Sequence, residues 1–112
     1  MYAIKPLIQG ATLTTSNAVY YTAPTGLYTK VTMLTLINTD ASSHTVSVYF
    51  ATGSGAPATA DYIVKSKTLM ANESYSVYVG QGWVVQPTAT IQAIADANSV
   101  VVIKAAGTEF SQ

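Results

Sequence analysis

Tyr28–Asn38 (YTKVTMLTLIN) and His44–Ala51 (HTVSVYFA) decide the fold class. In the first, Val31, Met33, Thr35 and Ile37 alternate with Thr32, Leu34 and Leu36. Both faces are apolar enough to be covered, which predicts a central strand. In the second, Val46, Val48 and Phe50 point inward and Thr45, Ser47 and Tyr49 outward, a period of two. A polar turn, Asp40–Ser43, separates them. The chain is therefore read as antiparallel β structure in which hydroxyl-bearing Thr and Ser cover the wet faces.

The rest of the sequence keeps the same style. Ala18–Thr22 stops at the turn signal of Pro24 and Gly26, and Gly53–Ala60 (GSGAPATA) reads as an exposed loop. Tyr62–Met70 places Lys65 and Lys67 on one face with Ile63 and Leu69, a pattern that marks a sheet edge. Tyr75–Val79 follows the turn Ala71–Ser74, and Trp83–Gln86 is closed by Pro87. Thr90–Ala95 and Ser99–Ala105 read as a hairpin with its tip at Asp96–Asn98. Roughly eight strands with turns every 8–12 residues or so predict an all-β fold, an antiparallel β-sandwich or jelly-roll-like barrel. Residues 17–112 form that single domain, and residues 1–16 are set apart as an N-terminal arm.

Composition removes whole classes of function. The 112 residues hold five Lys, no Arg and five Asp plus Glu, so the formal net charge is zero and only 9% of the chain is charged. Nucleic-acid binding needs a cationic field, which is missing. Disorder needs low hydrophobicity, whereas 49% of residues are hydrophobic and the mean hydropathy is +0.30. With no Cys there is no disulfide scaffold and no thiolate ligand or nucleophile. Lys5 and Pro6 interrupt any export-type apolar run near Met1, and the longest apolar stretch, Val100–Ile103, is far too short to span a bilayer. Neither a membrane nor a nucleic acid is expected as a partner.

Catalytic and metal chemistry find little support. His44 is the single histidine and reads as an ordinary strand-start residue. Asp40, Asp61, Glu73, Asp96 and Glu109 fall in separate turns, where the aspartates are expected to bond nearby backbone amides. There is no Gly-x-Ser-x-Gly elbow, and Gly53-Ser54-Gly55 lacks the Lys-Ser/Thr of a phosphate loop. The expectation is no catalytic residue, no metal and no cofactor.

Tyrosine is the unusual feature, with eight Tyr against two Phe and one Trp. Its amphipathic ring suits surfaces that are wet before association and buried afterwards. Tyr20 and Tyr21 are adjacent, so one ring must leave the core face. Tyr21, Tyr49, Tyr78 and Trp83 are therefore candidate interface residues, against the simpler reading that they support strands by cross-strand pairing. Tyr2, Ile4 and Leu7 of the arm join them. Pro6 disfavours a central strand there, so the arm either packs on a neighbour or forms an edge strand on its own sheet.

Several segments taken together resemble small virion structural proteins of tailed bacteriophages. Val19–Gly26 (VYYTAPTG) and Leu36–Asp40 (LINTD) are similar to that group's "VPAG" turn and strand ending "x-N-T/S". Val48–Gly55 (VYFATGSG) matches its second strand, and Thr68–Tyr75 (TLMANESY) its "L-x-A-G-E-T/S" turn, with Asn72 in place of Gly. Gly82–Ala93 matches a run ending in an "I-Q-A" strand, with Pro87-Thr88 in place of Pro/Gly-Asp. The resemblance implies a non-enzymatic virion protein assembled in the host bacterial cytoplasm. Its expected role is capsid decoration (cement), with the major capsid protein or other virion proteins as partners and a homo-oligomer, a trimer favoured. A neck, tail-fibre or head-fibre adaptor and a carbohydrate-binding β-sandwich module are the alternatives.

Overall fold

Nine strands carry the β-rich runs: β1 (Lys5–Thr12), β2 (Ala18–Thr22), β3 (Tyr28–Asn38), β4 (His44–Ala51), β5 (Tyr62–Leu69), β6 (Ser74–Val77), β7 (Trp83–Val85), β8 (Thr90–Ala95) and β9 (Val101–Phe110). They are seen in a computed structural model that describes residues 4–53, 55, 57–77 and 83–111. One sheet has the order β1-β9-β3-β6, with β7 also on β3, and the other has the order β2-β8-β4-β5. Every pairing is antiparallel. The pairs are nested: β1 with β9, β2 with β8, β3 with β6 and β7, and β4 with β5. The chain thus forms one long antiparallel ribbon, rolled so that successive pairs fall in opposite sheets. The fold is an all-β sandwich.

The alternation read from the sequence places the core. Leu34, Leu36, Ile103 and Val101 of the first sheet face Val46, Val48, Ile91 and Ala93 of the second, all fully buried or nearly so. β3 is central, as its two apolar faces require, with β9 on one side and β6 and β7 on the other. At the β3–β9 contact a Cβ added to Gly107 would lie 2.0 Å from the Lys30 carbonyl oxygen. Only glycine fits there, beside the register shift between Val31 and Met33.

Four expectations are corrected. Asp96–Asn98 is not a hairpin tip, because β8 and β9 lie in different sheets. The Asp96 carboxylate instead accepts from the Thr45 amide, and Asn98 Oδ1 from that of Thr15, so the segment bridges the sandwich. The described part of the arm, residues 4–16, does not stand apart: β1 pairs with β9, and Ile8 and Leu13 are buried in the core. Of the two roles weighed for the arm, the edge strand is the one adopted. β5 is an edge strand as its lysines suggest, but its alternation breaks at Ser66, where φ is +50°. Lys65 lies over the Tyr62 ring and Lys67 over that of Tyr75, so the two lysines serve different faces. Finally, Val31 does not share a face with Met33, Thr35 and Ile37: the register shift between Val31 and Met33 puts it in the core with Leu34 and Leu36. The Gly53–Ala60 loop, mostly exposed among its described residues as expected, ends in a 3-10 turn from Thr59 and is tied to β8 at its start.

Candidate interaction surface

The two outer faces of the sandwich differ. Outward from β8 project Thr90, Gln92 and Ile94, and the loop after β4 lies over the first two. Gln92 Nε2 donates to the carbonyls of Gly53 (3.1 Å) and Gly55 (3.0 Å), and Thr90 Oγ1 donates to that of Gly53 (2.6 Å). The Gln92 side-chain carbonyl accepts from Asn17 Nδ2. These bonds bury both polar residues completely, a state tolerated only because every polar atom is paired. The protein covers the β8 part of this face with its own chain.

The other outer face is bare among the described residues. It presents Pro6 and Thr12 of β1, then Val102, Lys104, Ala106 and Thr108 of β9. Beside them stand Lys30, Met33, Thr35 and Ile37 of β3, Ser74 and Ser76 of β6, and Val84 of β7. Met33 and Val84 are each 56% exposed. No Asp or Glu side chain lies on it.

The sequence-derived candidates are scattered. Tyr21 turns to the inter-sheet side, where its hydroxyl donates to Glu109 Oε2 and meets Thr29 Oγ1 at 2.7 Å. Burial and the Glu109 carboxylate push that hydroxyl up to about 12. Glu109 also holds Lys5 Nζ at 2.8 Å, and Lys5 and Tyr21 together lower its pKa. Tyr49 packs on Tyr62, with ring centroids 4.5 Å apart. Its hydroxyl is pushed up to about 12 by the hydrogen bond to Tyr62 and by burial. Trp83 is 46% exposed and meets Phe50 edge-on at 6.4 Å, with the ring planes at 88°. Beside it a groove of about 220 Å³ runs between β4 and β7, lined by Phe50, Ala51, Val84, Val85 and Pro87. Leu7 packs against the protein's own core, and Ile4 is 70% exposed. Tyr2 and Tyr78 lie outside the described residues. Tyr21, Tyr49 and Leu7 are thus held within the molecule, while Trp83 and Ile4 present apolar surface to solvent.

A charged cluster was not foreseen. The fold gathers Asp40 from the β3–β4 turn and Asp96 from the β8–β9 connection around His44. His44 Nε2 lies 2.7 Å from Asp40 Oδ2, and Nδ1 lies 2.7 Å from Asp96 Oδ1. The two carboxylates, Asp40 first, raise the imidazole pKa. His44 in turn lowers that of Asp40. For Asp96 burial acts upward but is outweighed by the Thr45 amide and His44, which lower it. With both ring nitrogens held against carboxylates, His44 clamps two loops. The spacing of 40, 44 and 96 gives no local signal for this, since it depends on which strands the ribbon brings together. Among the described residues no group of three or more His, Asp or Glu is arranged to hold a metal ion.

No family model and no curated protein sequence matches the chain. Solved structures do. A chain of the Bacillus endospore appendages, described as a family of disulfide-linked pili, matches with a TM-score of 0.57 and 14% identity, over 99% of this chain and 88% of that one. A chain of the acid-stable capsid of Helicobacter pylori bacteriophage KHP30 matches with a TM-score of 0.56 and 12% identity, over 96% and 93%. The T13 particle of IBDV supplies a third, with a TM-score of 0.57 and 8% identity, over 99% of this chain but 31% of that one. At these identities the likeness is one of fold.

Proposed function

We propose that the protein is a structural component of a bacteriophage virion, and that it decorates and stabilises the capsid. The observation that carries this reading is the correspondence, nearly end to end in both chains, with a chain of a bacteriophage capsid structure. We read the nested ribbon as a jelly roll, two Greek keys closed face to face. Near-zero net charge removes self-repulsion, which favours assembly into a homo-oligomer, a trimer by preference. The mechanism is interfacial burial repeated over the shell, so that many modest contacts resist internal pressure together. The role is non-catalytic, in keeping with a histidine whose two nitrogens are both bound to carboxylates.

Two other roles fit less well. A sugar-binding module needs coplanar rings in one cleft, yet Trp83 and Phe50 stand nearly perpendicular. Linkage by disulfides, named for the appendage protein, is closed to a chain without cysteine. A neck or fibre adaptor shares the fold and differs only in its seat on the particle. Purified particles made with and without the protein test the reading. Particles lacking it should release their genome at lower temperature, and absence of the protein from purified wild-type particles would overturn the proposal.

A further inference from the structure

We infer that the bare outer face of the β1-β9-β3-β6 sheet is the docking surface, and that its occupant is a carboxylate-bearing surface of the shell protein. This rests on the virion reading above. The first ground is the asymmetry of the sandwich: on the β2-β8-β4-β5 sheet the chain's own loop is tied over Gln92 and Thr90 of β8, and among the described residues no loop is tied over the opposite sheet in this way. The second is charge. All ten charged side chains are described, and only Lys30 and Lys104 lie on the bare face. Lys5 is paired with Glu109, whereas neither Lys30 nor Lys104 has an ion pair among the described residues. Asp40, Glu73 and Asp96 sit at one end of the sandwich, in the turns before β4 and β6 and after β8, and Asp61 lies in the 3-10 turn.

The face is therefore cationic at two points and otherwise neutral. Between them lie Met33, Thr35 and Ala106, able to close against a flat surface without stranding a charge. Four strands at about 4.8 Å spacing and ten residues at about 3.3 Å give a footprint of roughly 600 Å². That approaches the ~800 Å² per partner of a standard interface. A partner with carboxylates placed over Lys30 and Lys104 would complete both lysines, whose positions fix its register.

Rebinding to particles assembled without the protein tests this. The Lys30→Glu/Lys104→Glu variant should bind at least ten-fold more weakly, with its melting temperature and oligomeric state unchanged. Lys30→Gln/Lys104→Gln, which removes attraction without adding repulsion, should bind with intermediate affinity and lose most of the salt dependence. Lys65→Glu, on the opposite sheet, should bind as the wild type does. Wild-type binding by the double reversal overturns the inference and leaves the virion reading standing. Loss of self-association in that variant also overturns it, since the occupant is then a second copy. Failure of the wild-type protein to bind removes the virion reading, and this inference with it.

Discussion

The side-chain amide of Asn38 donates to the backbone carbonyl of Met70 at 3.0 Å, joining the end of β3 to the turn that follows β5. The same nitrogen reaches Ser42 O (2.9 Å) and Leu69 O (3.2 Å), and the Asn38 backbone amide donates to Glu73 O (2.9 Å). Asn38 is fully buried, so these partners replace the water it has lost. Replacing Asn38 with Ala removes these three side-chain bonds, takes the Asn38 Oδ1 acceptor from the Asp40 amide and leaves a void, although Met70 O keeps the Glu73 amide. The expected loss is about 2–3 kcal/mol, a fall in melting temperature of roughly 10 °C. Thermal denaturation followed by circular dichroism measures it.

The His44 clamp makes stability depend on pH in a defined window. His44 has a raised pKa, so its contribution is complete below the ordinary imidazole value of 6.5 and is lost as pH rises through the raised folded value. Asp40 and Asp96 have lowered values, so theirs is present above the ordinary 3.8 and is lost as pH falls through the lowered ones. The melting temperature should therefore be highest between about pH 4 and 6.5 and decline on the alkaline side. His44→Gln should flatten that alkaline decline; an unchanged slope would place the dependence elsewhere.

Thr88 carries backbone strain. It has φ +66° in the turn Gln86–Ala89, where the Ala89 amide donates to Gln86 O at 3.0 Å. Pro87 followed by a positive φ is the pattern of a type II turn, which favours Gly or Asn at the position of Thr88. A β-branched residue there is an outlier. Thr88→Asn should stabilise the protein by about 0.5–1 kcal/mol, a rise of a few degrees in melting temperature.

The sequence carries the bounds of β3, β4 and β8 almost to the residue, because their apolar periods are strong, but not the register shift between Val31 and Met33 that puts Val31 in the core and Met33 on the outer face. It also carries the turn around Asn72, whose φ of +60° is one that Asn tolerates where Gly would otherwise stand. What it does not carry is which strands become neighbours. The pairing of β1 with β9 and the meeting of Asp40, His44 and Asp96 arise from rolling the ribbon, a long-range event without a local signature. Ser66 shows the same limit on a smaller scale: one residue at positive φ separated Lys65 from Lys67, which strict alternation places together. Tyr21 shows it again: adjacency to Tyr20 marks one ring of the pair as leaving the core face, but Tyr21 is held inward by Glu109, 88 positions away.

Deleting Met1–Gly10 removes most of β1, including buried Ile8 and the Lys5–Glu109 ion pair. It also exposes the edge of β9 along its length. The truncated chain should lose cooperative melting or aggregate. A well-folded truncated domain that fails only in particle binding would return this segment to the role of an arm.

The most direct test of the account is a reconstruction of the intact particle by electron cryo-microscopy. The sandwich should appear on the outside of the capsid at a symmetry position, with Met33, Lys30 and Lys104 facing the shell protein and the Gly53–Ala60 loop facing solvent. Particles with no density for the sandwich anywhere on the capsid, neck or tail would contradict it.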